Sequence, residues 1–254
     1  MALRNIRRSV NRQATRLLET GGRFNRFDQI RQRHFWSKAR FTPDANGFIA
    51  SGDYDIFQTP AGQSGQGFAT QLTLLETNWQ GAGRVPDNQN LVIDEIGVSA
   101  QVTTAAGVAV VGNEFNSQVY HLLENELLRN TVLAITYLTN TVPLGMCTDF
   151  AQASGPHVGF YEPGSPFTDA APPVSAVPDR RRTFVSNGVP SPALRRRFKV
   201  PIMLGHGETF SFTLQVAQGR GPFVARIDPN DAATTPNIDV RVDFWATESF
   251  VEKS

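Results

Sequence analysis

The sequence contains only one cysteine, Cys147, among 254 residues. A single cysteine excludes an intrachain disulfide, so a hydrophobic core must stabilise the fold, and a body of this size can bury one. Free cysteine is among the most buried residue types, which predicts that Cys147 is a small apolar core residue. The missing disulfide is compatible with a reducing compartment.

Long apolar runs are also missing. The longest, residues 132–138, is interrupted by Thr136 and is far shorter than the roughly 18 residues that span a bilayer. The N-terminus is basic but lacks the apolar region of a secretory signal. Its amphipathic, arginine-rich composition resembles a mitochondrial presequence, which stays as an alternative interpretation.

Local motifs for catalysis or metal binding are absent as well. Residues 62–65 lack the spacing of a serine-hydrolase nucleophile, and residues 228–231 lack the glycine and distal glutamate of a calcium loop. The histidines show no zinc-binding spacing; they are His34, His121, His157 and His206. Residues 205–208 are predicted to form a turn between strands. We therefore expect no enzyme activity, no catalytic residue, no cofactor and no metal.

The net charge of +1 conceals a strong asymmetry along the chain. Residues 1–40 contain two acidic and eleven basic side chains, a net charge of +9, whereas residues 41–254 contain 13 basic and 21 acidic ones, a net charge of −8. The eleven are Arg4, Arg7, Arg8, Arg12, Arg16, Arg23, Arg26, Arg31, Arg33, Lys38 and Arg40. This pattern predicts a basic N-terminal arm, residues 1–40, that contacts nucleic acid or an anionic membrane without sequence preference.

The arm divides into two parts. Residues 2–18 have apolar side chains at helical spacing, with arginines on the other faces, which predicts an amphipathic helix that orders against a partner. Two glycines at 21 and 22 end it. Residues 23–40 remain basic but add aromatic residues, which indicates that they pack on the body or on a neighbouring subunit. An anionic membrane surface is a second target for such a helix.

Short β-branched and aromatic runs, separated by glycine, proline, asparagine and aspartate, begin at about residue 41. The predicted strands are 47–57, 71–76, 91–103, 108–111, 131–139, 197–204, 209–217, 223–227 and 238–246, with one helix at 117–128. Alternation in the last strands predicts a sheet with one buried and one solvated face. The predicted fold class is all-β: an antiparallel β-sandwich of jelly-roll type, residues 41–254, behind a basic, partly helical arm.

A proline-rich insertion is predicted at about residues 145–197, as an extended excursion on the surface. Two arginine triplets bracket its second part; they are Arg180, Arg181, Arg182 and Arg195, Arg196, Arg197. Such residues bind anions bidentately, pair with acidic groups of the body, or lie in subunit interfaces, where arginine is enriched. Ion pairing with the acidic body or a neighbouring subunit is the favoured interpretation.

A basic arm followed by a jelly-roll-like sandwich resembles the capsid proteins of icosahedral viruses and bacteriophages. The residues that carry this resemblance are the arginine series of 1–40 and the predicted strands 91–103, 131–139, 197–204, 209–217 and 238–246. It implies a structural virion protein that is assembled in the host cytoplasm and self-assembles into a homo-oligomeric shell, with or without other capsid proteins. It also implies an arm that faces the interior, where the genome, an internal membrane or neighbouring subunits lie.

Two other functions stay open. A β-sandwich binding module, such as a lectin-like or accessory virion protein, would present exposed aromatic side chains in its loops, and Trp79 and Tyr161 are the candidates. An enzyme with scattered carboxylates on the same fold is the third interpretation.

Overall fold

A computed structural model describes residues 30–103, 123–137, 139–151, 157–161, 182–186, 195–217, 221–223 and 235–250. Ten strands account for most of these residues: β1 (Ile30–Phe41), β2 (Gly52–Ile56), β3 (Gln89–Thr103), β4 (Thr131–Tyr137), β5 (Asn140–Met146), β6 (His157–Tyr161), β7 (Arg182–Ser186), β8 (Arg196–Leu204), β9 (Phe210–Val216) and β10 (Asn237–Phe250). The described helical turns are short: Leu123–Leu127, Leu128–Asn130 and Cys147–Phe150. No helix in the described part of the chain is long and apolar enough to cross a membrane.

Eight of the strands form two antiparallel sheets. The first sheet has the order β1-β10-β3-β8 and the second has the order β2-β9-β4-β5, whereas β6 and β7, among the described strands, pair only with each other. The described part of the chain is therefore mostly β, and the two four-stranded sheets match the predicted all-β sandwich.

The core lies between the two sheets and follows the predicted alternation. On β9, Phe210, Phe212, Leu214 and Val216 are buried, and on β10, Ile238, Val240, Val242 and Phe244 are buried. Aromatic rings join the sheets: Phe212 of the second sheet lies 5.7 Å from Phe244 of the first, measured between ring centroids. Cys147 is buried in this core, as predicted.

Strand β1 is the largest departure from the predicted strands. Residues 30–40, assigned by sequence to the basic arm, form most of β1 and pair with β10 along its length, from Ile30 opposite Ser249 to Phe41 opposite Ile238. The inward side chains of this strand, Phe35, Ala39 and Phe41 among them, are buried. With the buried Ser37 they follow a spacing of two that is present in the sequence, but the basic residues between them give the segment the composition of an arm.

The other predicted elements include one wrong strand, several that lie outside the described residues, and strands that were missed. Predicted strand 71–76 is wrong, because these residues form turns beside β1. Predicted strand 108–111 and residues 117–122 of the predicted helix lie outside the described residues, as do residues 224–227 of another predicted strand. Strand β5 was missed because it is largely exposed and contains Pro143, a residue that edge strands tolerate. The predicted proline-rich insertion contains the β6–β7 hairpin, which the sequence did not indicate.

The connection between β2 and β3 covers the free edge of β1. The backbone N–H of Lys38 donates to the carbonyl of Glu76, and that of Arg40 donates to the carbonyl of Gln66. The Asn78 side chain completes this edge: its Oδ1 accepts from the Trp36 N–H at 2.8 Å, and its Nδ2 donates to the His34 carbonyl at 2.9 Å. An edge covered in this way is not available for strand pairing with another chain.

Candidate interaction surface

The outward face of the first sheet carries the most organised group of aromatic and charged side chains in the described structure. The register pairs His34 with Trp245, Trp36 with Asp243, Lys38 with Arg241, and Arg40 with Asp239. We call this surface the Trp–Arg face, and it consists of His34, Trp36, Lys38, Arg40, Glu95, Arg195, Arg197, Asp239, Arg241, Asp243 and Trp245. Four different strands and the residue before β8 position these side chains.

The aromatic rings of this face form a stack. The His34 ring lies parallel to the Trp245 ring, with centroids 4.5 Å apart and an interplanar angle of 2°. The Arg195 guanidinium lies 3.8 Å from the centroid of Trp245. Trp36 lies 5.3 Å from His34, with the Arg241 guanidinium 5.1 Å from its centroid. Cation–π contacts of this kind each stabilise by about 0.5–1 kcal/mol near a surface.

A buried carboxylate lies within this stack. Asp243 is 1% exposed although it points away from the core. Its Oδ1 lies 2.5 Å from the His34 Nε2, and it accepts hydrogen bonds from Arg241 Nε at 3.0 Å and Nη2 at 2.6 Å. The sequence predicted a solvated position here, which is wrong because His34 and Arg241 bind the carboxylate and leave it buried.

Asp239 is the second buried carboxylate of the face. Arg40 holds it bidentately, Nε to Oδ1 at 2.7 Å and Nη2 to Oδ2 at 2.8 Å. The hydrogen bond to Asp239 raises the pKa of Arg40, despite the opposing effect of burial. The Arg40 guanidinium also lies 4.3 Å from the Phe68 ring centroid. This pair fastens β1 to β10 on the outward side.

The second arginine triplet meets the face at β8. Arg197 donates to the Glu95 carboxylate through Nε at 3.0 Å and through Nη2, and Arg195 lies 3.8 Å from the same carboxylate. Arg196 lies on the other side of the strand, 5.6 Å from the Phe150 ring centroid. Arg195 and Arg197 therefore form ion pairs with a carboxylate of the body, which is the interpretation favoured from the sequence. Arg180 and Arg181 lie outside the described residues, and Arg182 begins β7.

The eleven residues predicted to contact a polyanion form two groups, one before Ile30 and one after it. Seven of them lie outside the described residues: Arg4, Arg7, Arg8, Arg12, Arg16, Arg23 and Arg26. The other four, Arg31, Arg33, Lys38 and Arg40, belong to β1. Arg33 Nη1 lies 3.3 Å from the buried Glu248 carboxylate, and Arg40 pairs with Asp239. The structure thus brings these two arginines to internal carboxylates.

The electrostatics of the Trp–Arg face follow from which groups are buried. Asp239 and Asp243 are buried and Glu95 is largely covered, whereas the guanidinium groups of Arg197 and Arg241 reach solvent. The face therefore presents positive charge outward although it contains three carboxylates. Exposed arginine beside tryptophan is also the composition that dominates binding energy in protein interfaces.

Trp79, a candidate for an exposed binding aromatic, is buried instead. Its ring makes edge contacts with Phe35 and Phe210, each at 5.2 Å between centroids. Trp36, which the sequence analysis placed in the arm, lies half-buried on the Trp–Arg face. Alternation around residue 36 was the signal that could have found it. Tyr161 lies in β6.

A cleft of about 340 Å³ opens beside β2. Asp53, Tyr54, Asp55 and Gln66 are among its lining residues, and Asp55 accepts a hydrogen bond from the Thr213 hydroxyl at 2.6 Å. Burial raises the pKa of Tyr54, whose hydroxyl donates to the Ala50 carbonyl. These groups can accept hydrogen bonds from a polar ligand, but they do not combine a nucleophile with a base.

Histidine, cysteine and carboxylate side chains within the described ranges do not gather in groups of three that could hold a metal ion. Residues 205–208, including His206, form the predicted turn, which joins β8 to β9. Comparisons with protein-family models, with curated proteins and with solved structures found no match to this chain.

Proposed function

We propose that this chain is a structural capsid subunit that self-assembles into an icosahedral shell, and that its sandwich is a jelly roll. The strand order carries the proposal. When the β6–β7 hairpin is set aside, eight strands remain in two four-stranded sheets, ordered β1-β10-β3-β8 and β2-β9-β4-β5. Two four-stranded sheets built from Greek-key connections are the architecture of jelly rolls, which recur in viral capsids.

The position of the arm supports the same function. Residues 1–29 contain seven basic and two acidic side chains, a net charge of +5, and they lead directly into β1 of the first sheet. The Trp–Arg face, which exposes guanidinium groups, belongs to that sheet. We therefore propose that the first sheet is turned towards the interior of the shell, where the arm meets nucleic acid, an internal membrane or a neighbouring subunit.

The proposal assigns no chemistry to the chain, because assembly needs only surfaces repeated by symmetry. Tryptophan and arginine on the Trp–Arg face suit such surfaces, since they are enriched in the energetic centres of protein interfaces. The binding-module alternative loses one of its two candidate aromatics, because Trp79 is buried.

Electron microscopy of the purified chain tests the proposal. The chain should form closed shells of uniform diameter when it is concentrated at low ionic strength, either alone or with single-stranded nucleic acid or anionic vesicles. Sedimentation velocity should show the same particles in solution. A chain that stays monomeric under all of these conditions would overturn the proposed function.

A further inference from the structure

The tip of the β2–β3 connection is a rigid turn that presents two leucines to solvent. Thr73 is held by the Glu76 carboxylate, which accepts from the Thr73 backbone N–H at 2.8 Å and from its hydroxyl. The Leu75 N–H donates to the Thr73 hydroxyl oxygen at 3.1 Å, and the Trp36 indole N–H donates to the Leu74 carbonyl at 3.1 Å. We call residues 73–76 the knob.

The two leucines of the knob are unusually exposed for their type. Leu74 is 63% exposed and Leu75 is 74% exposed, although four hydrogen bonds order the turn that carries them. A turn that is already ordered loses little conformational entropy on binding. Preorganised apolar side chains at a loop tip are therefore suited to enter a contact with another surface.

A second exposed apolar group lies on β8. Val200 is 78% exposed and Met203 is 51% exposed. The register of β8 against β3 jumps from Ile202 opposite Ile93 to Arg197 opposite Glu95, so the residues between them leave the ladder. We call Lys199, Val200 and Met203 the edge patch. The bulge and Pro201 make this edge unsuitable for strand addition, so its apolar side chains need a different kind of partner.

The knob and the edge patch lie at opposite edges of one sheet. The knob covers β1, and the first sheet runs from β1 through β10 and β3 to β8. Neighbouring strands are about 4.8 Å apart, so three strand spacings, about 14 Å, separate the two edges. One copy cannot bring its own knob to its own edge patch, whereas two copies placed side by side can.

The charges of the two groups are complementary. In the knob, burial opposes ionisation of Glu76, but hydrogen bonds from Thr73 and the charge of Lys38 outweigh it and lower the pKa of Glu76. The edge patch contains the exposed Lys199 and follows the exposed Arg197. Docking would bring Glu76, the charged side chain of the knob, to Lys199, the charged side chain of the edge patch, and this contact of opposite charges favours the pairing over the pairing of like edges.

We propose that the knob of one copy docks on the edge patch of a second copy, in a head-to-tail contact that joins the first sheets of neighbouring subunits. This contact rests on the proposed self-assembly and identifies the surfaces that carry it. Because the two surfaces differ, the contact is heterologous, and repeated rotation closes it into rings of the kind that build an icosahedral shell.

Two variants and their mixture test this contact. The knob variant carries L74E and L75E, and the edge variant carries V200E and M203E; all four side chains are exposed, so unfolding temperatures should stay close to that of the wild type. Each variant alone should need at least about a tenfold higher concentration to assemble, because introduced charges oppose docking. F48E, at an exposed loop residue, is the control and should assemble like the wild type.

The mixture distinguishes a head-to-tail contact from general disruption. An equimolar mixture retains one intact knob and one intact edge patch, so sedimentation velocity should show heterodimers that neither variant forms alone. Heterodimers that do not form, or variants that assemble like the wild type, overturn this contact while leaving wild-type assembly in place. A wild-type chain that never assembles overturns the proposed function as well.

Discussion

Asp239 and Asp243 are buried carboxylates on the outward side of a sheet. At these positions alternation predicts solvated side chains, yet arginine and histidine side chains from β1 and β10 bind both carboxylates, which are buried. A carboxylate without water is stable only when it is paired and hydrogen-bonded. The partners of these two residues therefore contribute more to stability than exposed arginines do.

Replacement of Arg40 tests this dependence. Arg40→Met leaves the Asp239 carboxylate buried without its bidentate partner, which should lower the free energy of unfolding by roughly 3 kcal/mol in urea titrations. Arg40→Met combined with Asp239→Leu should recover most of the loss, because no buried charge then remains. Asp87→Asn, in the exposed pair with Arg84, should change stability by less than about 1 kcal/mol; an equal loss there would contradict the explanation.

Cys147 gives a prediction with a defined pH window. Burial, assisted by the charge of Asp149, raises the pKa of its thiol from 9.0 to about 12. Below pH 9 the thiol is neutral in both folded and unfolded chains. Above pH 9 only the unfolded thiol ionises, so folding loses stability by about 1.4 kcal/mol for each pH unit, until the pH reaches the folded pKa.

Urea titrations of the wild type and Cys147→Ala, at pH 7.5 and at about pH 10, measure that loss. Stability relative to Cys147→Ala should fall by roughly 1.4 kcal/mol at the higher pH, since one unit separates pH 10 from the ordinary thiol pKa. Parallel pH profiles of the two proteins would show that the thiol does not contribute.

At the scale of the element, β1 shows why charge is an ambiguous signal. The strand contains four of the eleven basic residues that predicted the arm, yet its inward residues are buried and its backbone pairs with β10. Charged side chains on one side of a strand are compatible with a core on the other. The basic arm of the sequence prediction therefore continues, at Ile30, into the sandwich.

Asn78 should determine how firmly the outer edge of β1 is held. Its side chain replaces a neighbouring strand by bonding both the N–H of Trp36 and the carbonyl of His34. Asn78→Ala should lower stability by about 1–3 kcal/mol and should speed hydrogen exchange at the Trp36 amide. Asn46→Ala, at an exposed turn residue, is the control. Unchanged exchange at Trp36 would mean that the edge does not depend on Asn78.

At the scale of the whole molecule, the sandwich begins at Ile30 and not at residue 41 as predicted, so the net charges of the arm and the sandwich differ from the predicted ones. Residues 1–29 carry +5, and residues 30–254 carry 17 basic and 21 acidic side chains, a net charge of −4. The opposite signs stay separated along the chain. The proposed polyanion contact is therefore assigned chiefly to the seven arginines before β1.

Deletion of residues 1–29 tests that assignment without removing a strand of the sandwich. The full chain should bind single-stranded nucleic acid with an affinity that falls steeply with salt, by up to about five powers of ten for each tenfold rise in salt if all seven arginines contact phosphate. The truncated chain should lose most of this salt dependence while keeping the wild-type unfolding temperature. Fluorescence anisotropy at several salt concentrations measures both affinities, and equal slopes would contradict the role of the arm.

Binding to anionic vesicles can be measured in the same way. The apolar residues at helical spacing in 2–18 would insert into a lipid surface, so membrane binding should survive high salt better than nucleic-acid binding does. Vesicle binding without nucleic-acid binding would assign the arm to lipid.

The sequence by itself determined the fold class, the burial of Cys147, and six of the strands. Those strands alternate strongly or are rich in β-branched residues, and such local patterns survive in any fold that buries one face. The sequence also determined the separation of charge along the chain. The jelly-roll topology, the capsid function and the role of the arm stay proposals that the experiments above address.

Only the tertiary structure decided which charges are exposed and which surfaces are left for a partner. The Trp–Arg face joins residues that are about two hundred positions apart in sequence, such as His34 with Asp243, and the knob and the edge patch became visible through their exposure. No local pattern encodes these features, because exposure depends on which distant segment covers a side chain. The pairing of β1 with β10 brought the two ends of the described chain together and so determined which of these side chains are covered.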